Sequence, residues 1–295
     1  KWLSNDDRAL IHVPDCDLAP KGLPLIFGEK NLNVSPEQIT TALGMAWNSQ
    51  NDTYMFKGID NIATPAPVET FRTLLSRTAR VYDPLGLAGP FVVVAKLLIQ
   101  KCWQLKLDWD QELPETVLTP WLKWCTEACF LADFEIPRCI IVPNSKTEIH
   151  AFSDASAIAC TTCCYMRCID SIGRIRVNLI VAKTRINPTK VTTIPRLELL
   201  AAWLSSILTN VAFECYEDYV DKKDIHYWVD STTALQWIGK TASHWKTWVG
   251  NRVAAIQEKS LVEQWRYVDT TSNPADLGTR GLAGSALLVK HEWLE

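Results

Sequence analysis

Two patterns of hydrophobic and polar positions meet near residue 145. Before it, apolar residues recur at helical spacing in "VETFRTLLSRTARVYD", "PFVVVAKLLIQKCWQLKL" and "PETVLTPWLKWCTEACFLADF". Pro90 and Pro114 fall where a first helical turn tolerates a missing N–H. After it, short apolar runs predict strands in "TEIHAFSD" (147–154), "CTTCCYMRC" (160–168) and "RIRVNLIVAKTRI" (174–186). Asp170, Ser171 and Gly173 supply the turn between the second and third. A helix follows over 195–216, opened by Pro195. "IHYWVD" (225–230) predicts a fourth strand, and "EQWRYVD" (263–269) a fifth. "STTALQWIG" (231–239) and "HWKTWVGNRVAAIQEKS" (244–260) predict the helices between them. "NPADLGTR" (273–280) opens a last helix, with Asn273 as its cap and Pro274 first inside it. The order β-β-β-α-β-α-α-β-α predicts an α/β fold, hairpin-linked on one side of its sheet and parallel through helical crossovers.

Upstream, residues 1–13 predict a short helix capped by Ser4 or Asn5, with Asp6 and Asp7 in its first turn. "TTALGMAW" (40–47) and "TYMFKGI" (53–59) predict two strands joined by the turn-rich "NSQND". "NIATPAPVE" (61–69) reads as a linker.

Composition narrows this little. The chain has 295 residues, 47% hydrophobic and 21% charged, with a net charge of -3. That is a globular balance for one large or two modest domains. Its overall field does not announce a nucleic-acid partner. No apolar run approaches the length of a bilayer span, so no membrane partner is expected. The opening "KWLSNDD" has no initiator Met and no apolar leader, which suggests a segment of a larger polyprotein. Cys160, Cys163, Cys164 and Cys168 share one strand-like run. They read as reduced core thiols of a cytosolic or nuclear protein, not as a zinc site.

Four acids stand at informative places. Asp154 ends the first strand of this region and Asp230 the fourth. Glu198 and Asp276 lie in the first turns of two helices. If strands one and four are parallel neighbours, Asp154 and Asp230 project from one sheet edge, where ligands of such sheets gather. Each acid alone reads as a helix-dipole partner or a cap. Gathered together, four carboxylates repel, and a divalent cation relieves them. An all-oxygen set points to Mg2+ or Mn2+ rather than zinc. Two such ions suit in-line attack on a phosphodiester.

A basic stretch leads into Glu198. Between Ser171 and Leu197 there is no Asp or Glu, but Arg174, Arg176, Lys183, Arg185, Lys190 and Arg196 are present. These are candidate phosphate contacts beside the acids, against the plainer reading of a solvated strand face. Trp237, Trp245 and Trp248 have helical spacing and read as core.

The stretches "KWLSN", "LGMAW", "LSRTARVYDPLGLAGP", "LDWDQELP", "FSDAS", "TTIPRLELLAA", "WVDSTTALQWI", "NRVAAIQE" and "NPADLGTRG" resemble the Pol polyprotein of BEL/Pao long-terminal-repeat retrotransposons. The resemblance runs through nearly the whole chain. It implies the tail of a reverse-transcriptase palm (1–60), a helical thumb- or connection-like region (61–144) and an RNase H-like mixed five-stranded sheet with flanking helices (145–295). It implies that Asp154, Glu198, Asp230 and Asp276 are the D-E-D-D metal ligands, with Asp154 bridging two Mg2+ or Mn2+ ions. The implied activity is hydrolysis of the RNA strand of an RNA–DNA hybrid during reverse transcription. The implied partners are the hybrid and the rest of Pol, reverse transcriptase and integrase, in a cytoplasmic particle or the nucleus. Residues 145–295 are expected to fold and cleave alone, with Lys96, Lys101 and Lys106 adding hybrid contacts.

Departures set limits on this. The polymerase motif Tyr-x-Asp-Asp is absent, so the chain is not expected to polymerise DNA. The loop "VDTTSNPAD" lacks the His that many RNases H use in product release. "SDAS" lacks the Gly of an Asp-Thr/Ser-Gly peptidase, and no Gly-x-Ser-x-Gly elbow occurs. The alternatives to a ribonuclease are a non-catalytic retroelement remnant or scaffold and, more remotely, an aspartic-type peptidase.

Overall fold

The structure, a computed structural model, describes residues 39–42, 45–48, 50–64, 66–190, 192–289 and 291–294. The helix expected over 1–13 lies outside them. The first strands are β1 (Ile39–Ala42), β2 (Met45–Asn48) and β3 (Thr53–Met55). β1 and β2 are antiparallel, with Ala42 opposite Met45, so the single strand expected over 40–47 is a hairpin. "TTALGMAW" contains a Gly, and that breaker signal outweighs its apolar run.

Four helices follow: α1 (Asp60–Ala63), α2 (Phe71–Thr78), α3 (Gly89–Gln104) and α4 (Glu115–Glu127). Thr70 and Thr73 cap α2 reciprocally, each side chain bonded to the other's backbone N–H. The Asp83 carboxylate accepts from the N–H groups of Leu87 and Ala88 at 2.8 and 2.9 Å, satisfying donors where α3 begins. Pro120 sits inside α4 and cannot donate to the Thr116 carbonyl. Lys101 Nζ of α3 reaches that carbonyl instead, at 2.9 Å. Lys101 therefore ties α3 to α4. A strand that the sequence pattern does not predict, β4 (Ile136–Pro137), adds to β3 and completes a sheet in the order β1-β2-β3-β4.

The main sheet is built from β5 (Lys146–Ala155), β6 (Ala159–Ile169), β7 (Ile175–Ile186), β8 (Ile225–Val229) and β9 (Trp265–Tyr267). Its order is β7-β6-β5-β8-β9. β5, β6 and β7 are antiparallel neighbours; β8 runs parallel to β5, and β9 to β8. This is the expected mixed five-stranded α/β sheet with flanking helices. β9 is shorter than its apolar run, because Gln264 closes a 3-10 turn by accepting the Leu261 N–H at 2.8 Å.

The flanking helices are α5 (Ile194–Tyr216), α6 (Thr232–Ile238), α7 (Thr247–Gln257), α8 (Ala275–Arg280) and α9 (Gly284–Val289). α5 begins at Ile194, so Glu198 is its fifth residue and lies in the second turn, not the first. α8 is not the last helix. Gly281, at φ +82°, ends it, and α9 follows.

Alternation along β6 sends its side chains to two cores. Cys164, Met166 and Cys168 pack with Leu199, Ala202, Val253 and Ile256 of α5 and α7. Cys163 and Tyr165 face the other way, into a cluster with Phe91, Trp121, Leu131 and Trp293. The helices before residue 145 thus share a core with the sheet after it. Two non-helical segments cover its edge: Ala182 N–H donates to Leu85 O, between α2 and α3, at 2.7 Å, and Leu179 N–H to Leu294 O, after α9, at 2.9 Å. The cysteines of β6 are buried free thiols. α5 has the length and composition of a membrane span, with a mean hydropathy of 1.3, which the reading of apolar runs passes over. Its apolar face is seated on the sheet, with Leu199, Ala201 and Ala202 fully buried.

Candidate active site

β5 and β8 run parallel, with Ser153 opposite Val229. The next residues along them, Asp154 and Asp230, therefore emerge side by side at one edge. α5 packs Leu199 and Ala202 under the same strands, and this carries Glu198 to that edge. Ligand oxygens of Asp154, Glu198 and Asp230 lie within 4.8 Å of one another. Three of the four expected acids converge.

Asp276 does not join this close group. Its carboxylate accepts from Arg280 Nε at 2.8 Å, one turn along α8. It still acts on the centre, because its charge adds to the upward push on Asp154. α8 is fastened to the strand by two residues that the acid pattern misses. Asn273 Nδ2 donates to Ser153 O at 3.1 Å, while its Oδ1 accepts from Ala275 N–H at 3.2 Å. Thr279 donates its hydroxyl to Asp154 Oδ2 at 2.5 Å. The one sequence signal for Thr279 is its place a helical turn beyond Asp276. Gly278 permits the approach: a Cβ there would lie 2.4 Å from Thr161 Cγ2, and Thr161 is the ladder partner of Asp154.

Burial, then the charges of Asp230 and Asp276, push the Asp154 carboxyl up to about 6, against the Thr279 hydrogen bond. Burial, then the charges of Asp154 and Asp230, push Glu198 up to about 8. Asp230 Oδ1 is buried with no protein donor. A cluster of mutually repelling carboxylates with an orphaned oxygen fits a hard divalent cation, and no His or Cys belongs to the set.

A second group of potential ligands, Glu148, His150 and His226, also lies within 4.8 Å. Glu148 and His150 have their bonds committed, while His226 Nδ1 is buried with no protein partner. Trp228 Nε1 donates to His150 Nδ1 at 3.1 Å, which leaves the ring proton on Nε2, facing Glu148. Arg167 and Lys146 both donate to Glu148 at 2.7 Å. This tautomer gives a metal no lone pair at Nε2.

The six basic residues do not form one surface. Arg174 and Arg176 lie at the start of β7, and Arg174 is bonded to Asp170 in the turn at 2.7 Å. At about 3.3 Å per residue, Arg174 is roughly 35 Å along the strand from Arg185. Lys183 and Arg185 flank Thr184, whose hydroxyl meets that of Thr161 at 3.0 Å, next to Asp154. Lys190 is exposed in the following loop. Arg196 lies over the Trp248 ring at 5.2 Å, as does Arg252 at 4.2 Å. Trp237, Trp245 and Trp248 are half-buried against the α5–α7 core.

The sequence profile of the Pao retrotransposon-like RNaseH-like domain matches residues 70–231. The chain belongs to this family. The matched stretch opens at α2, runs through the centre and ends just after Asp230, so it includes three converging acids and leaves α8 outside. The chain is similar to a foamy viral protease-reverse transcriptase solved in complex with dsDNA, at 11% identity and a TM-score of 0.44. That likeness covers 79% of this chain and 45% of the viral one, so this chain spans less than half the viral chain's length. It is also similar to RNase H1 from the halophilic archaeon Halobacterium salinarum NRC-1, at 13% identity and a TM-score of 0.25, over 44% of this chain and 89% of that one. No curated protein matches the chain.

Proposed function

We propose that this chain is the ribonuclease H segment of a retrotransposon Pol protein and hydrolyses the RNA strand of RNA–DNA hybrids. The observation that carries the reading is the convergence of Asp154, Glu198 and Asp230 within 4.8 Å, at the edge where the parallel strands end. These three, with Asp276 at the rim, would hold two Mg2+ or Mn2+ ions. Bound there, the ions would activate the attacking water and stabilise the leaving oxygen. Asp154, whose charge is coupled to each of the other three acids, would be the principal residue holding them. Asp230 offers its unpartnered Oδ1. Thr279 fixes the rotamer of Asp154, and Arg280 holds Asp276 beside the centre. Lys183, Arg185, Lys190 and Arg196, exposed on the approaches, suit phosphate contact without base readout. A hybrid would be recognised by groove shape and 2′-hydroxyls. The remaining Pol proteins, reverse transcriptase and integrase, are the partners this reading implies.

The test is hybrid cleavage with and without Mg2+, on the wild-type chain and on Asp154→Asn. Magnesium-dependent cleavage abolished by the substitution supports the reading. Hybrid binding without cleavage would instead return a scaffold. Proteolysis that persists in Asp154→Asn would place another chemistry elsewhere.

A further inference from the structure

A cavity of about 300 Å³ lies between α2, α3 and the edge strand β7. Its walls are largely apolar, including Leu75, Val81, Val92 and Ile99. Two lysines line it, Lys96 from α3 and Lys183 from β7. Among the described residues neither forms an ion pair or a hydrogen bond. The one acid in the cavity, Asp83, has both carboxylate oxygens engaged by the N–H groups of Leu87 and Ala88. Lys96 is held below its usual range by burial first and then by the charge of Lys183, against the weaker pull of Asp83. Two lysines thus share an apolar-walled cleft with a single acid, Asp83, whose oxygens are already engaged by backbone donors, an arrangement that a further anion relieves.

The place matters as much as the charge. Thr184 also lines the cavity, bonded to Thr161, the ladder partner of Asp154. Two ladder steps, about 10 Å, separate the wall of the cleft from the carboxylate centre. A chain carrying regularly spaced anions could occupy both at once. We propose that Lys96 and Lys183 hold a backbone phosphate of the nucleic-acid strand that enters the carboxylate centre. The subsite is built jointly by the helical segment and the sheet. This rests on the reading of the centre as a nuclease.

The full chain is tested in two ways. Hybrid binding without divalent cation is titrated across salt for wild type, for Lys96→Gln with Lys183→Gln, and for a charge-matched pair, Lys222→Gln with Lys223→Gln. The matched pair precedes β8 at the opposite end of the sheet. Separately, lysine acylation is mapped with and without inorganic pyrophosphate. The expected result is at least tenfold weaker binding for the cleft pair alone, and a salt slope shallower by about 0.9, as the loss of one neutralised phosphate requires. Pyrophosphate should shield Lys96 and Lys183 and leave Lys222 and Lys223 unshielded. Equal losses in the two pairs, with no shielding, would overturn the subsite and leave the nuclease reading standing. Shielding in a chain that neither binds nor cleaves hybrid would keep the anion site and sink the nuclease reading, and with it the assignment of that anion to nucleic acid.

Discussion

The Thr279 hydroxyl donates to Asp154 Oδ2 across 2.5 Å, so the helix that carries Asp276 also holds the carboxylate at the middle of the site. Thr279 is fully buried. Its contribution opposes the burial that pushes Asp154 upward. Thr279→Val keeps the shape and removes the donor. We expect it to lower stability by about 1–2 kcal/mol and to raise the Mg2+ concentration needed for half-maximal cleavage. Thr279→Ser should retain most of both. Urea titration and a magnesium titration of the cleavage rate read the two effects. A valine variant matching wild type in both would show that the contact orders nothing.

The carboxylate cluster predicts an unusual pH dependence for the metal-free chain. Asp154 at about 6 and Glu198 at about 8 both lie above their unfolded values, which are near 4. Between those limits the folded chain binds more protons than the unfolded one. Stability from this pair is fully present below about pH 4 and is lost as pH rises through 6 and then 8. A cation replaces the protons, so magnesium should raise the melting temperature more at pH 8 than at pH 5.5. Thermal melts with chelator and with Mg2+ test this. A magnesium shift of equal size at both pH values would contradict a metal held by these acids.

The centre was legible in the sequence where it depends on strand ends. "FSDAS" and "WVDS" place an acid just where parallel neighbours terminate, and a ladder with Ser153 opposite Val229 brings them together. Glu198 was legible as an acid near the start of its helix, although α5 opens at Ile194 and places it in the second turn. Asp276 was only half legible: its position is as expected, but Arg280 one turn on holds it at the rim. Thr279, Asn273 and Gly278 act through tertiary contacts with Asp154, Ser153 and Thr161, residues more than a hundred positions away, and no local pattern encodes such a pair. The same limit hid β4, two residues long and defined by its partner β3. It also obscured the basic run, whose members spread along a strand far longer than the site.

Gly278 sets how closely α8 approaches the sheet. A methyl group there would lie 2.4 Å from Thr161 Cγ2, a fully buried, β-branched side chain with little room to yield. Gly278→Ala is expected to cost about 1–3 kcal/mol through overpacking and to slow cleavage by displacing Thr279 and Asp276. Adding Thr161→Ala removes the opposing atoms and should recover part of the stability. Chemical denaturation of the single and double variants measures the coupling. If the second substitution only adds its own loss, the two residues are not in contact as described.

The change of pattern near residue 145 invites cutting the chain there, and the packing says what the cut would expose. Cys163, Tyr165, Leu179 and Ala182 of the sheet are at most 4% exposed, and Phe91, Trp121 and Leu131 from the helices lie in the same cluster. Trp293, fully buried, donates its Nε1–H to Leu87 O at 2.7 Å. Removing residues before 145 would uncover that whole face, strip Trp293 of its acceptor and free the β7 edge at Ala182. Exposed apolar faces and open edges favour association over folding. We therefore expect a 145–295 fragment to aggregate or to melt well below the full chain, and to recover when residues 39–144 are supplied as a separate chain. Sedimentation and thermal melts of the fragment, alone and co-expressed with its complement, decide the matter. A monomeric fragment that melts with the full chain and cleaves hybrid would show two self-sufficient units that merely touch, and the division drawn from the sequence would then stand.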